Sequence, residues 1–132
     1  MLEIRQIALI VRDYDEALEY YTNTLGFVLV GDTRISEEKR WIVIAPSHTS
    51  PVNLLLAKAV TPEQLSRVGN QTGDRVFLFL YTRDFELTYK QFSEKGVEFI
   101  QKPRDEDYGR VVVFRDLYGN KWDLIEKKKP SA

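Results

Sequence analysis

The sequence contains no cysteine and a single histidine, and these two shortages remove several classes of function. Without cysteine there can be no disulfides, no thiolate nucleophiles and no cysteine-ligated metal sites. His48 lies in a run rich in proline, serine and threonine, where we expect a solvated loop residue, because a general base needs a positioned pocket. The sequence also lacks glycine-rich phosphate loops, Ser/His/Asp patterns and dinucleotide-binding fingerprints.

Charge and hydropathy narrow the class of protein further. Nineteen Lys and Arg residues stand against 20 Asp and Glu, a formal net charge of −1, so we expect no basic face for nucleic acid. The longest apolar run, Val76 to Tyr81, is far shorter than the roughly 20 residues of a membrane-spanning helix. Because the first residues also lack the basic and apolar regions of a signal peptide, we expect a cytoplasmic protein with neither nucleic acid nor membrane as a partner.

The second half of the sequence repeats the first at an offset of 70 to 71 residues. Arg12-Asp13 is matched by Arg83-Asp84, and each pair follows an apolar run and opens a helix-like stretch. After the first helix the offset decreases from 71 to 70 residues, so that Asn53-Leu54 is matched by Asp123-Leu124. A duplication of this length predicts one pseudo-symmetric domain rather than a solenoid, with any active site where the two copies face each other.

The hydrophobic pattern predicts an α+β fold of two βαβββ modules, at about residues 1–60 and 74–128, within a single domain 1–132. A linker covers 61–73 and a tail covers 129–132. Asp13 and Asp84 are the predicted helix caps, and Gly26 and Gly96 the predicted helix ends. The predicted strands are 4–12, 27–33, 39–46 and 52–58, then 75–82, 97–101, 110–115 and 121–127. We expect curved, mixed or antiparallel sheets around a cup.

Five runs carry a family resemblance by their order and spacing. They are Gln6 to Asp13, Ala17 to Tyr21, Leu25 to Phe27, Lys95 to Val97 and Phe114 to Leu124. Together they resemble the vicinal oxygen chelate superfamily, which includes glyoxalase I, extradiol dioxygenases, and the fosfomycin- and bleomycin-resistance proteins. The resemblance covers nearly the whole sequence and implies the glyoxalase-like fold.

The resemblance also implies where a metal would lie. Enzymes of this superfamily are similar in a metal site of four strand positions, which here are Gln6, Asn53, Phe77 and Asp123. A phenyl ring cannot bind a metal, and two amides with one carboxylate carry too little charge to hold a transition metal against water. A hard cation such as Mg²⁺ would be held weakly. We therefore interpret the four positions as a degenerate metal site and expect no cofactor, with weak divalent metal binding as the remaining option.

Eight residues are candidates for binding a ligand in the cup, which we expect to be apolar with a few polar groups. Four are the degenerate metal positions, two are aromatics on the Phe77 face of the fifth strand, and two are aromatics on the third strand and in the loop before the seventh. The aromatics have alternative interpretations as filler, core packing or sheet-edge cover, and the carboxylate as an ordinary exposed strand residue. The candidates are Gln6, Trp41, Asn53, Phe77, Phe79, Tyr81, Tyr108 and Asp123.

Three functions fit these features. We expect a homodimeric protein of the glyoxalase/bleomycin-resistance type that binds a small organic molecule in its cup without a tightly held metal. The alternative is a metal-dependent lyase, isomerase, transferase or dioxygenase of the same superfamily with relocated ligands, so whether any reaction is catalysed stays open. A third possibility is a structural or regulatory module that uses the cup only as a groove for a partner, which predicts a filled cup and no pocket.

Overall fold

A computed structural model describes residues 1–129 and divides the chain into two compact units, one ending at Gln71 and one beginning at Thr72. Each unit contains one mixed sheet and few helices, so the predicted α+β class is confirmed. Within residues 1–129, no helix is both long enough and apolar enough to cross a membrane. All but the first residue of the predicted tail 129–132 lies outside the described part of the chain.

The first unit follows the predicted strand and helix order. Its elements are β1 (Gln6–Val11), α1 (Tyr14–Glu19) with a π-helical turn (Tyr20–Thr24), β2 (Val28–Arg34), β3 (Arg40–Ala45), β4 (Asn53–Lys58) and α2 (Pro62–Ser66). The sheet order is β1-β4-β3-β2, with β1 parallel to β4 and the other pairs antiparallel. A parallel pair needs a long crossover, and α1 with the two following strands supplies it.

Local chemistry fixes the helices of the first unit. The Asp13 carboxylate accepts the backbone N–H of Glu16 at 2.8 Å, which confirms the predicted N-cap. Tyr21 is fully buried beside Phe27, with ring centroids 5.5 Å apart, so this aromatic belongs to the core. The predicted helix end is confirmed by Gly26, which has φ +77°.

The second unit repeats the arrangement with one additional strand. Its elements are β5 (Val76–Tyr81), α3 (Phe85–Glu94), β6 (Glu98–Phe99), β7 (Arg104–Glu106), β8 (Gly109–Arg115) and β9 (Lys121–Lys127). The sheet order is β5-β9-β8-β6, β7 also pairs with β8, and β5 runs parallel to β9. Asp84 caps α3 by accepting the Leu87 N–H at 3.1 Å, as the repeat predicts.

The strand predicted at 97–101 is wrong in its extent, because the structure divides this segment into β6 and the separate strand β7. Pro103 lies between them and has no N–H to donate to a sheet ladder. The chain therefore leaves β8 after Ile100, whose N–H still bonds to the Val113 carbonyl at 3.1 Å, and returns at Arg104.

A buried carboxylate organises the turn between β8 and β9. Asp116 is 6% exposed and accepts the backbone N–H groups of Tyr118, Gly119 and Asn120 at 3.0 to 3.1 Å. It also accepts the indole N–H of Trp122 at 3.1 Å. The turn is thereby tied to the aromatic core on the α3 side of the sheet, where Trp122 stacks on Phe114.

Candidate functional site

Within the described residues of the second unit, the sheet has one face turned to α3 and one face that no helix of this unit covers. Phe92 of α3 packs against Phe114, and Trp122 lies on the same side. Because side chains alternate along a strand, Asp123 projects to the opposite, helix-free face. Phe79 is its register partner on β5, so the two side chains are neighbours on that face.

Asp123 is a buried carboxylate, and one of its oxygen atoms is unsatisfied in the described part of the chain. The residue is 8% exposed, and among the described residues its Oδ1 atom has no hydrogen-bond partner. Burial raises the pKa of Asp123, and the positive charge of Arg104 offsets part of that rise. Arg104 itself is paired with Glu106, Nε to Oε1 at 2.8 Å. Asp123 is therefore suited to accept a hydrogen bond, or to retain a proton and donate one.

The second unit exposes three aromatic rings, one of which belongs to Phe79, the register partner of Asp123. Phe79, Tyr81 and Tyr108 are each more than half exposed, although large apolar side chains gain by burial. Tyr81 lies under the Lys127 ammonium, 5.6 Å from the ring centroid, and lines a pocket of about 630 Å³. Tyr108 lies in the loop between β7 and β8. The pKa of the Arg104 guanidinium is raised, chiefly by its hydrogen bond to Glu106 and to a smaller extent by Tyr108.

Phe77 does not lie on the face of β5 that was predicted for it. The register of β5 against β9 shifts between Val76 and Leu78, so a bulge interrupts the strand at Phe77. The Phe77 ring packs edge-on against Trp122, with centroids 6.0 Å apart, and thus contacts the α3 side of the sheet. The prediction that Phe77, Phe79 and Tyr81 form one continuous face is therefore wrong for Phe77.

The first sheet places Gln6 and Asn53 side by side, as directly paired residues of β1 and β4. The Oδ1 atom of Asn53 is buried and has no hydrogen-bond partner among the described residues. Asn53 also lines a pocket of about 310 Å³ with Ser47 and His48. His48 is an exposed loop residue, as expected, but its place beside Asn53 was missed. The one available signal was that its loop leads directly into β4.

Trp41 is separated from Gln6 and Asn53 within the first unit. Ile42 pairs with Leu56, so Trp41 lies near the carboxyl end of β4, whereas Asn53 begins that strand. The Trp41 side chain is 42% exposed and lines a different pocket, of about 450 Å³. The core-packing alternative for Trp41 is therefore wrong.

The sheet ladders correct the predicted equivalence of Asn53 and Asp123. Ile10 and Tyr81 are equivalent, because each lies three residues before the aspartate that caps the following helix. Ile10 pairs with Ala57 on β4, and Tyr81 pairs with Ile125 on β9, so Ala57 and Ile125 are equivalent as well. Two residues earlier on β4 and β9 stand Leu55 and Asp123. The shift arises because the connection 46–52 is two residues longer than the connection 116–120.

The corrected positions fit a metal even less well than the predicted ones. With Leu55 in place of Asn53, the inherited set is one amide, one carboxylate and two hydrocarbon side chains: Gln6, Asp123, Leu55 and Phe77. Divalent transition metals need imidazole, thiolate or several oxygen anions. Across residues 1–129, no three His, Asp or Glu side chains are grouped so that they could hold a metal ion.

Comparison with protein families gives a match over most of the chain. The model of the Glyoxalase/Bleomycin resistance protein/Dioxygenase superfamily matches residues 3–124. An uncharacterized protein of Shewanella frigidimarina (strain NCIMB 400) is 50% identical over 124 residues, which is 93% of this chain and 92% of that protein.

Solved structures show the same fold. UcmS2 is 28% identical with a TM-score of 0.82, and the match covers 95% of this chain and 98% of that one. TnmS3, an antibiotic binding protein from Streptomyces sp. CB03234, is 25% identical with a TM-score of 0.78, over 97% and 98% of the two chains.

Proposed function

Because the chain belongs to the Glyoxalase/Bleomycin resistance protein/Dioxygenase superfamily, we propose that it binds a small organic molecule and holds no metal tightly. The observation that carries this proposal is the helix-free face of the second sheet. There a nearly buried carboxylate, Asp123, stands beside the exposed ring of Phe79. Apolar walls with a few fixed polar groups are typical of small-molecule sites.

The candidate residues take different parts in the proposed site. Phe79, Tyr81 and Tyr108 supply exposed aromatic surface, and Asp123 supplies the polar group that fixes a ligand's orientation. A ligand hydroxyl or amine next to this carboxylate would supply the hydrogen bond that Asp123 Oδ1 lacks among the described residues. Phe77 supports this face indirectly, by packing against Trp122.

The first unit has polar groups and an exposed aromatic of its own. Gln6 and Asn53 are adjacent amides at one end of the sheet, and Trp41 lies toward the other end. Amides recognise hydroxyl, amine and carbonyl groups without adding charge. The antibiotic-binding activity named for TnmS3 supports a small organic ligand for this chain as well.

The donor set argues against the metal-dependent alternative. A lyase or dioxygenase of this superfamily would need a metal with an open coordination position and several protein ligands. Gln6 and Asp123 together supply one charge, so Mg²⁺ would remain largely hydrated and weakly held. We also propose that the protein is a homodimer in the cytoplasm. Its lack of cysteine is compatible with that reducing compartment.

A thermal-shift screen of small organic compounds tests the proposal, since a ligand that binds only the native state raises its stability. We expect compounds that raise Tm in the presence of EDTA, with the rise reduced in Phe79→Ala. Leu117→Ala is the control, because Leu117 lies in the β8–β9 turn and is also partly exposed. Ligands that act only when divalent metal is added would contradict the metal-free function.

A further inference from the structure

The second unit contains a pocket at the carboxyl ends of its two parallel strands, β5 and β9. Its volume is about 630 Å³, within the usual range for small-molecule sites. β5 ends at Tyr81 and β9 ends at Lys127, and the lining continues into the residues that follow each strand. We call it the Lys127 pocket, and it is lined by Tyr81, Thr82, Arg83, Glu126, Lys127 and Lys129.

The lining of the Lys127 pocket carries an excess of positive charge. Three exposed cations, Arg83, Lys127 and Lys129, stand against the single carboxylate of Glu126, a formal excess of two positive charges. Within residues 1–129, none of the three cations forms an ion pair. A cleft lined by one sign of charge attracts ligands of the opposite sign, so this pocket favours an anion.

The other polar side chains at the ends of the two strands are engaged within the fold. The Glu126 Oε1 atom accepts the Phe85 N–H at 2.8 Å, which holds this carboxylate at the first turn of α3. The Thr82 hydroxyl accepts the Asp84 N–H at 3.1 Å and shares a hydrogen bond of 2.8 Å with the Thr88 hydroxyl. The three cations are therefore the groups of the lining that can pair with a charged ligand.

Tyr81 adds an aromatic surface to the Lys127 pocket. The residue is 55% exposed, and the Lys127 ammonium lies 5.6 Å from the centre of its ring. Tyr81 and Phe79 are two residues apart on β5, so both rings project to the helix-free face. An aromatic ligand would cover these rings while a charged substituent lies against the cations.

The charges on this face differ in sign from one end of β9 to the other. Asp123 and Lys127 are four residues apart, which corresponds to about 13 Å along the strand. The Asp123 carboxylate would repel the anionic group of a ligand, and the Lys127 ammonium would attract it. The anionic end of a ligand is therefore directed to the Lys127 pocket, and a hydrogen-bond donor to Asp123.

From these features we infer that the Lys127 pocket binds the anionic group of an aromatic ligand, such as an aryl carboxylate or an aryl sulfonate. The inference rests on the proposed function, to which it adds a ligand class and an orientation. One guanidinium and two ammonium groups would donate charge-assisted hydrogen bonds to the oxygen atoms of the anion.

Two probes with the same ring system test the ligand class: naphthalene-2-sulfonate, which is anionic, and 2-naphthol, which is neutral at pH 7. Each is titrated into ¹⁵N-labelled protein while the backbone amide signals are followed. We expect the sulfonate to shift the signals of Arg83 and Lys127 saturably and to bind about tenfold more tightly than 2-naphthol, since several exposed ion pairs add up. Added NaCl should weaken the sulfonate alone, because salt screens exposed charges.

A pair of charge reversals on adjacent residues provides the control. Lys127→Glu places a carboxylate in the lining and should weaken sulfonate binding about tenfold or more. Lys128→Glu gives the protein the same net charge, but Lys128 is exposed outside the lining, so the affinity should stay within about twofold. Equal affinities of the two probes, or equal affinities of the two variants for the sulfonate, overturn the inference.

The positions of the shifts separate this inference from the proposed function. Saturable shifts at Phe79 and Asp123 with none at Arg83 and Lys127 overturn the role of the Lys127 pocket and leave the proposed site on the second sheet intact. The absence of any saturable shift also overturns the inference, and the thermal-shift screen then decides the proposed function independently.

Discussion

Asp123→Asn should make the protein more stable at neutral pH, although it removes a residue of the proposed site. The carboxylate is 8% exposed, and its Oδ1 atom has no partner among the described residues. An unpaired buried polar group costs about 1–3 kcal/mol, and more when charged. The amide has the same shape without the charge, so we expect a gain of roughly 1–2 kcal/mol, or about 3–6 °C in Tm, at pH 7.

The size of this stability difference depends on pH, because the pKa of Asp123 differs between the folded and unfolded states. Burial raises the folded-state pKa of Asp123, so the folded protein favours the protonated form. The stability linked to this group is fully present below the unfolded-state pKa and is lost as pH rises through the folded-state pKa. The difference between Asp123→Asn and wild type should therefore be largest at neutral pH and shrink toward pH 3.

Urea denaturation at pH 7 and at low pH measures this difference through the transition midpoint. Asp107→Asn is the matched control, because Asp107 is an exposed carboxylate of the β7–β8 loop. Its effect should stay within about 0.5 kcal/mol. A variant Asp123→Asn that is less stable than wild type at pH 7 would refute the desolvation argument and show that the carboxylate has a compensating partner in solution.

Three further outcomes follow from the fold. Asp116→Ala removes the acceptor of the Trp122 indole and of three turn N–H groups, so urea denaturation should show a loss of about 3 kcal/mol or more. Gly109→Ala should also destabilise strongly in the same assay, since φ is +151° there and a Cβ would collide with the Glu126 backbone carbonyl. Sedimentation should give about twice 15.4 kDa, because the edge strand β2 exposes Leu29 and Val30; a concentration-independent monomer would contradict the dimer.

The repeat in the sequence predicted the topology because its matching residues begin and end the helices through local interactions. Asp13 and Asp84 cap helices, and Gly26 and Gly96 end them, whatever the rest of the chain does. These four positions fix the order of strand, helix and returning strands in each unit. The fold class could therefore be predicted from short-range signals alone.

The site was predicted less well because it depends on register between distant strands. Asn53 and Asp123 match in sequence, but the unequal loops before β4 and β9 place Leu55 at the position of Asp123. Alternation predicted that Phe77 shares a face with Phe79 and Tyr81, and the bulge in β5 interrupts that alternation. Every residue of this strand is apolar, so the sequence contains no signal for a bulge, and hydrophobic periodicity could not have predicted it.

The metal content of the purified protein, measured by mass spectrometry, tests the central claim most directly. Gln6 and Asp123 are the only inherited positions that keep a possible metal ligand, and together they supply one charge. We predict Ni, Zn, Fe and Mn well below one equivalent per chain, before and after dialysis against each ion. One tightly bound equivalent that disappears in Asp123→Ala would contradict the metal-free function and place the protein among the metal-dependent enzymes of its superfamily.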